Sequence, residues 1–135
     1  MYITLNRPDR RNAMTQQLED ELSEAFNEFD TDDEAWVAIL DGAGSSFCVG
    51  AEVGERLGSK EERMNRIARG SNPEGFLGRT INWKPVIAAI HGYCLAGGLY
   101  IAMECDLIVA SEDAQFAMSQ TKRGISGGRA WAKLQ

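Results

Sequence analysis

Apolar positions along this chain follow two different rhythms. Leu18, Leu22, Ala25, Phe26 and Phe29 recur at three- and four-residue intervals with acidic residues between them, and Thr15 stands where a helix cap belongs, so the spacing predicts an amphipathic helix. Three runs, at 36–40, 85–90 and 106–110, the last apolar after Asp106, predict strands buried on both faces. Tyr2 to Leu5 is a shorter strand that Arg7-Pro8-Asp9 breaks, Leu99 to Cys105 has helical character, and Phe116 marks a further short strand. The stretch 41–50 reads as a Gly/Ser-rich loop, 60–69 as a polar helix, and 70–82, with Pro73, as a loop or mobile segment. Residues 91–98 read as a glycine-bearing connection, and 124–128 as a turn before another helix. Strands alternating with helices, with glycines at the strand ends, predict an α/β chain with mostly parallel pairing, a single core over 1–135.

Composition narrows the function. The 135 residues carry 14 Lys and Arg against 20 Asp and Glu, a net charge of −6, which disfavours nucleic acid and anionic membrane surfaces as partners. There is no apolar run of about eighteen residues to span a membrane, and Met1 to Asn6 lacks the basic and apolar regions of a secretory signal. Cys48, Cys94 and Cys105 form no CxxC pair and have only His91 as an imidazole in the chain, so a structural zinc site is not expected; scattered thiols suit a reducing, cytoplasmic compartment. The 14 glycines exceed the average share and gather at 42–58, 92–98 and 124–128, the places to look for chemistry.

Two of these clusters follow predicted strands. In Phe47-Cys48-Val49-Gly50-Ala51-Glu52-Val53, small side chains let a ligand approach the backbone; an ordinary strand-to-helix turn accounts for the same residues. In Gly92-Tyr93-Cys94-Leu95-Ala96-Gly97-Gly98, the glycines open a helix whose first N–H groups favour negative charge. No Lys-Ser/Thr follows, which excludes a Walker loop, and the spacing is not a dinucleotide fingerprint. Two such loops converging on one oxygen would form an oxyanion hole from backbone alone.

With these two loops, the segments Ile3-Thr4-Leu5-Asn6-Arg7-Pro8, Arg11-Asn12-Ala13-Met14, Lys84-Pro85-Val86-Ile87-Ala88-Ala89-Ile90-His91-Gly92, Cys105-Asp106-Leu107-Ile108-Val109-Ala110-Ser111 and Ala114-Gln115-Phe116 resemble the crotonase superfamily, the enoyl-CoA hydratase/isomerase family, in register over nearly the whole chain. The resemblance implies a spiral of β-β-α units, an acyl-CoA thioester substrate with no separate cofactor, and a homo-oligomer, a trimer or pair of trimers. It implies that the N–H groups of Ala51 and Gly97 polarise the thioester carbonyl. It also implies that Val49, Gly50, Ala51, Glu52 and Val53 lie along the CoA adenine, and Arg10, Arg11 and Ala13 along its pantetheine or phosphates.

The chain departs from the family pattern at both positions where hydratases carry glutamates: Tyr100 and Gln120 stand there. Neither replaces a carboxylate as a base near neutral pH, because an amide does not titrate and a phenol has a pKa near 10. Glu104 shares a helix face with Tyr100, and Ser119, Ser126, Glu55 and His91 are further polar candidates; for Glu104 a salt bridge near the helix end, and for His91 a structural hydrogen bond, are the competing readings. The chain is about half the family's length, so the expectation is a crotonase-like core whose C-terminal helical part is missing and which does not behave as a simple monomer. The reaction is left open between an enolate-forming hydratase, isomerase, lyase or hydrolase and a CoA-binding protein without turnover.

Overall fold

The computed structural model describes residues 1–52 and 83–124, leaving aside the side chain of Arg123. Val53, Glu55, Ser126, the helix expected at 60–69, the loop at 70–82 and most of the turn at 124–128 lie outside the described residues. The elements run β1 (Tyr2–Leu5), a short 3-10 helix (Pro8–Arg10), α1 (Gln16–Thr31), β2 (Ala38–Gly42), β3 (Val86–Ile90), β4 (Tyr93–Leu95), α2 (Gly97–Glu104), β5 (Leu107–Ala110), β6 (Gln115–Ala117) and a second 3-10 helix (Ser119–Arg123). Four strands form a sheet in the order β1-β2-β3-β5, and β4 pairs with β6 in a second; every pairing is parallel.

Helix α1 forms as its pattern predicts. Thr15 caps it by accepting from the Leu18 N–H at 3.2 Å, and Leu18, Leu22, Phe26 and Phe29 are its buried stripe. That stripe belongs to one core with Ile3 and Leu5 of β1, Ala38 and Leu40 of β2, Val86, Ala88 and Ile90 of β3, and Leu99, Ile101 and Ala102 of α2. The far end of α1 is tied to the sheet by Lys84, whose ammonium donates to the carbonyls of Phe29 at 2.9 Å and Asp32 at 2.6 Å. A cation there meets the negative end of the helix dipole.

Four expectations need correction. The strand placed at 36–40 runs over Ala38–Gly42: Trp36 is 81% exposed, and the ladder with β1, Thr4 opposite Asp41 and Leu5 opposite Gly42, carries the strand into residues that read as loop. Strands β2 and β3 are not buried on both faces; alternate residues are buried and half-buried, and the buried ones share a core with α1. Strand β5 is exposed throughout, with Leu107 at 60% and Val109 at 63%, because none of its residues joins that core. The stretch 91–98, read as a connection, contains β4, which exists through its pairing with β6.

Candidate active site

Strands β2 and β3 are parallel neighbours, so the loops that leave them emerge at the same end of the sheet. There they zip together. Phe47 N–H donates to His91 O at 2.9 Å, Cys48 N–H to Tyr93 O at 3.0 Å, and Leu95 N–H returns to Cys48 O at 2.8 Å. The other edge of the first loop is held by the turn after β1: Met14 N–H donates to Gly50 O and Glu52 N–H to Met14 O, both at 2.8 Å. Since Gly50 and Glu52 turn these groups toward Met14, the alternation of an extended backbone turns the N–H of Ala51 the opposite way.

On that opposite side lies the start of α2. A Cβ built on Gly50 would sit 3.0 Å from the Ala96 Cβ and 3.1 Å from the Gly97 amide nitrogen. Gly50, at φ +93°, therefore meets both requirements for glycine, a left-handed backbone and a close approach. Ala96 itself has φ 47° and ψ −112°, a conformation that side chains avoid, and it is held there by its N–H bond to Ala117 O at 2.8 Å. Gly97 is the first residue of α2, so its N–H has no partner within the helix. Neither the Ala51 nor the Gly97 amide makes a hydrogen bond among the described residues. Two free donors thus stand on adjoining loops, next to the positive end of a helix, with small side chains around them.

The other candidates divide. Tyr100 lies in the first turn of α2, its N–H on Ala96 O at 3.2 Å. Gln120 sits in the 3-10 helix after β6, and β6 is the strand whose Ala117 carbonyl holds Ala96. Arg7 Nη1 forms an ion pair with Glu52 Oε2 at 2.8 Å and donates to Ala13 O, so Glu52 and Ala13 help to hold the loop. Arg10 is the more exposed arginine, its guanidinium 4.0 Å from Glu52, and Arg11 lies over the Tyr93 ring at 5.5 Å. Val49, half-buried, donates its N–H to Arg11 O. His91 Nε2 lies 2.9 Å from Gly44 O, the structural role weighed for it. Burial pushes the Cys48 thiol up to about 11 and the Cys94 thiol to about 12, so both stay protonated near neutral pH and neither is a nucleophile. Among the described residues no group of His, Cys, Asp and Glu has the makings of a metal site, and no helix is long and apolar enough to cross a membrane. A groove of about 500 Å³ between β1 and α1 contains none of Ala51, Gly97, Tyr100 and Gln120.

The residue whose weight the sequence concealed is Asn12. It is wholly buried at φ 56°, accepts from the Arg7 N–H at 2.8 Å, and its Nδ2 lies within 3.1 Å of the carbonyls of Ala43, Ser46 and Phe47. It staples the turn after β1 to the first site loop. An Asn close to a turn-forming Arg-Pro-Asp stretch is a signal for a left-handed residue, but the carbonyls its Nδ2 reaches lie more than thirty residues away and leave no local trace. Asp106 acts similarly, capping β3 by accepting from Val86 N–H at 2.8 Å.

Comparison with known proteins agrees with this frame. The chain is 39% identical to a mevalonyl-coenzyme A hydratase of Aspergillus fumigatus over 132 residues, covering 93% of this chain and 46% of that protein. It is 37% identical to an (E)-benzylidenesuccinyl-CoA hydratase of Thauera aromatica, covering 96% of this chain and 52% of that protein. A crystal structure of an enoyl-CoA hydratase subunit from Geobacillus kaustophilus matches with a TM-score of 0.85 at 32% identity, over 98% of this chain and 51% of that one. One from Mycobacterium smegmatis matches with a TM-score of 0.82 at 32% identity, over 98% and 52%. The chain spans about half the length of the curated relatives it matches. The sequence model of the enoyl-CoA hydratase/isomerase family matches residues 1–134, and with the parallel sheet and paired glycine loops this makes the chain a member of the enoyl-CoA hydratase/isomerase family.

Proposed function

We propose that the protein acts on an acyl-CoA thioester by holding its carbonyl oxygen between the N–H groups of Ala51 and Gly97, so that the negative charge of an enolate forms against two fixed donors. The observation that carries this reading is the meeting of the two loops, where the Gly97 nitrogen lies 3.1 Å from the position of an absent Gly50 side chain. A thioester has acidic α-protons, and each such donor is worth about 3–4 kcal/mol to the transition state. The exposed Arg10 and Arg11 suit the phosphates of CoA. The exposed apolar edge at β5 supports a homo-oligomer; the family resemblance carries its number, a trimer or pair of trimers, and the scattered free thiols carry the cytoplasm.

Tyr100 and Gln120 argue against fast hydration of plain enoyl-CoA substrates. General acid–base catalysis supplies a factor of about 10² to 10⁴ per group, and neither residue is a carboxylate. The test is turnover of an acyl-CoA panel, with crotonyl-CoA included. Slow crotonyl-CoA hydration that rises in the Tyr100→Glu, Gln120→Glu double variant agrees with the reading; rapid hydration by the unaltered protein refutes it. The same two replacements favour a second reading, a CoA-thioester-binding protein without turnover, and binding of every panel member with conversion of none decides for it.

A further inference from the structure

Gln120 is nine-tenths buried, and among the described residues neither its Oε1 nor its Nε2 has a hydrogen-bond partner. Folded proteins leave few buried polar atoms unpaired, and a whole side-chain amide left so is rarer than a single atom. Among the described residues two others, Asp41 and Ser46, have one such atom each. The turn around Gln120 has bonds of its own that leave the amide aside: Gly124 N–H bonds back to the carbonyls of Gln120 and Thr121, and the Thr121 hydroxyl donates to Met118 O at 3.0 Å. Its place in the fold is also defined, since it follows β6, whose Ala117 carbonyl fixes Ala96, the residue before the Gly97 amide.

From this we infer that Gln120 is a specificity residue that selects acyl chains bearing an uncharged group able both to donate and to accept a hydrogen bond, a hydroxyl or a carboxamide. The inference rests on the thioester lying at Ala51 and Gly97, and it adds what the acyl chain must carry. A Gln amide offers a donor and an acceptor side by side and does not titrate. A hydroxyl satisfies one atom directly and the other through a water; a carboxamide satisfies both. A hydrocarbon chain displaces water and leaves both atoms buried and unpaired, which is how a polar pocket rejects an apolar analogue. A carboxylate satisfies Nε2 but brings its charge against the lone pairs of Oε1.

The experiment is calorimetric binding to the full chain of matched saturated ligands. Succinamoyl-CoA and 4-hydroxybutyryl-CoA are compared with 4-methylpentanoyl-CoA, butyryl-CoA and succinyl-CoA. The expected result is that at least one of the two uncharged polar ligands binds about tenfold or more tighter than its apolar counterpart and that succinyl-CoA gains no such advantage. In Gln120→Met the ratio falls to about one, with the apolar ligands binding as well as before or better. A purely structural role for Gln120 would weaken all ligands together and leave the ratio intact, which overturns the inference. Equal binding of polar and apolar ligands by the unaltered protein, as when a trapped water alone satisfies the amide, also overturns it while leaving the thioester site standing. Binding of no ligand at all removes the thioester site and the inference with it. The ratio is read in Gln120→Leu as well, so that one variant's failure to fold does not decide the matter.

Discussion

The sheet flank built from β1, α1 and β2 and the loop junction built from residues 43–51, 92–97 and 117–120 are ordered by opposite means. On the flank, large side chains set the geometry: Leu5, Phe29 and Leu40 are at most 1% exposed and fill the space between helix and sheet. At the junction small residues, Gly50, Ala51, Ala96 and Gly97, stand where the loops meet, and the geometry is set by backbone bonds, Cys48 to Tyr93 and Leu95, Met14 to Gly50 and Glu52, and Ala96 to Ala117. The flank needs volume and tolerates modest shifts. The junction needs empty volume, because it brings main-chain donors together, and it tolerates strain at Ala96 to do so.

That contrast is open to attack by mutation. Gly50→Val is expected to have the largest effect, because it drives methyl groups into Ala96 and the Gly97 amide; turnover should fall by about 10³ or more, well beyond any loss of stability. Kinetics on the purified, folded variant check this, and retained activity would separate the two amides. Leu40→Ala should do the reverse, lowering unfolding free energy by about 2–5 kcal/mol in a denaturant melt while turnover per folded molecule holds. If that variant melts normally but loses its activity, the division between flank and junction collapses. Asn12→Gly keeps the left-handed backbone and deletes the staple. It should cost about 1–3 kcal/mol and reduce turnover together, since Asn12 belongs to both regions.

The smallest effect concerns pH. Burial raises the Cys48 thiol to about 11 and the Cys94 thiol to about 12 from an ordinary value of 9.0. Below pH 9 both thiols are protonated in the folded and unfolded states alike, and the stabilisation from protonation is fully present. Above it, unfolding releases protons that the folded state keeps, so stability declines as pH rises from 9 toward 11 or 12. Melting temperatures at pH 8 and 10.5 should diverge less in Cys48→Ala than in the unaltered chain. Equal divergence would show that other groups account for the alkaline slope.

The sequence made the flank legible because its information is local. The stripe from Leu18 to Phe29 and the Thr15 cap are spelled in consecutive turns of one helix, and the structure repeats them. What it obscured depended on partners elsewhere. The strand at Ala38–Gly42 owes its last two residues to pairing with Thr4 and Leu5, which overrides the loop character of Asp41 and Gly42. The exposure of β5 follows from its lying outside the core that the other strands of its sheet share, which an apolar run does not encode. At the junction, motif spacing drew attention to Ala51 and Gly97, but the direction of the Ala51 N–H comes from the bond pattern with Met14, and the spare amide of Gln120 is a property of its surroundings alone.

The all-parallel ladder also governs how this chain comes to exist. Tyr2 lies opposite Ile39, Ala38 opposite Val86 and Ile87 opposite Leu107, so each strand waits for a neighbour far along the polypeptide. Helix α1 is completed from adjacent residues, but the sheet that covers its apolar stripe is not. During synthesis the central strand β2 has one open edge until residues near 90 leave the ribosome, and loop closure must be paid in entropy before any β2–β3 bond repays it. Until that pairing is made, Leu40 and Phe29 lack the cover they have in the folded core.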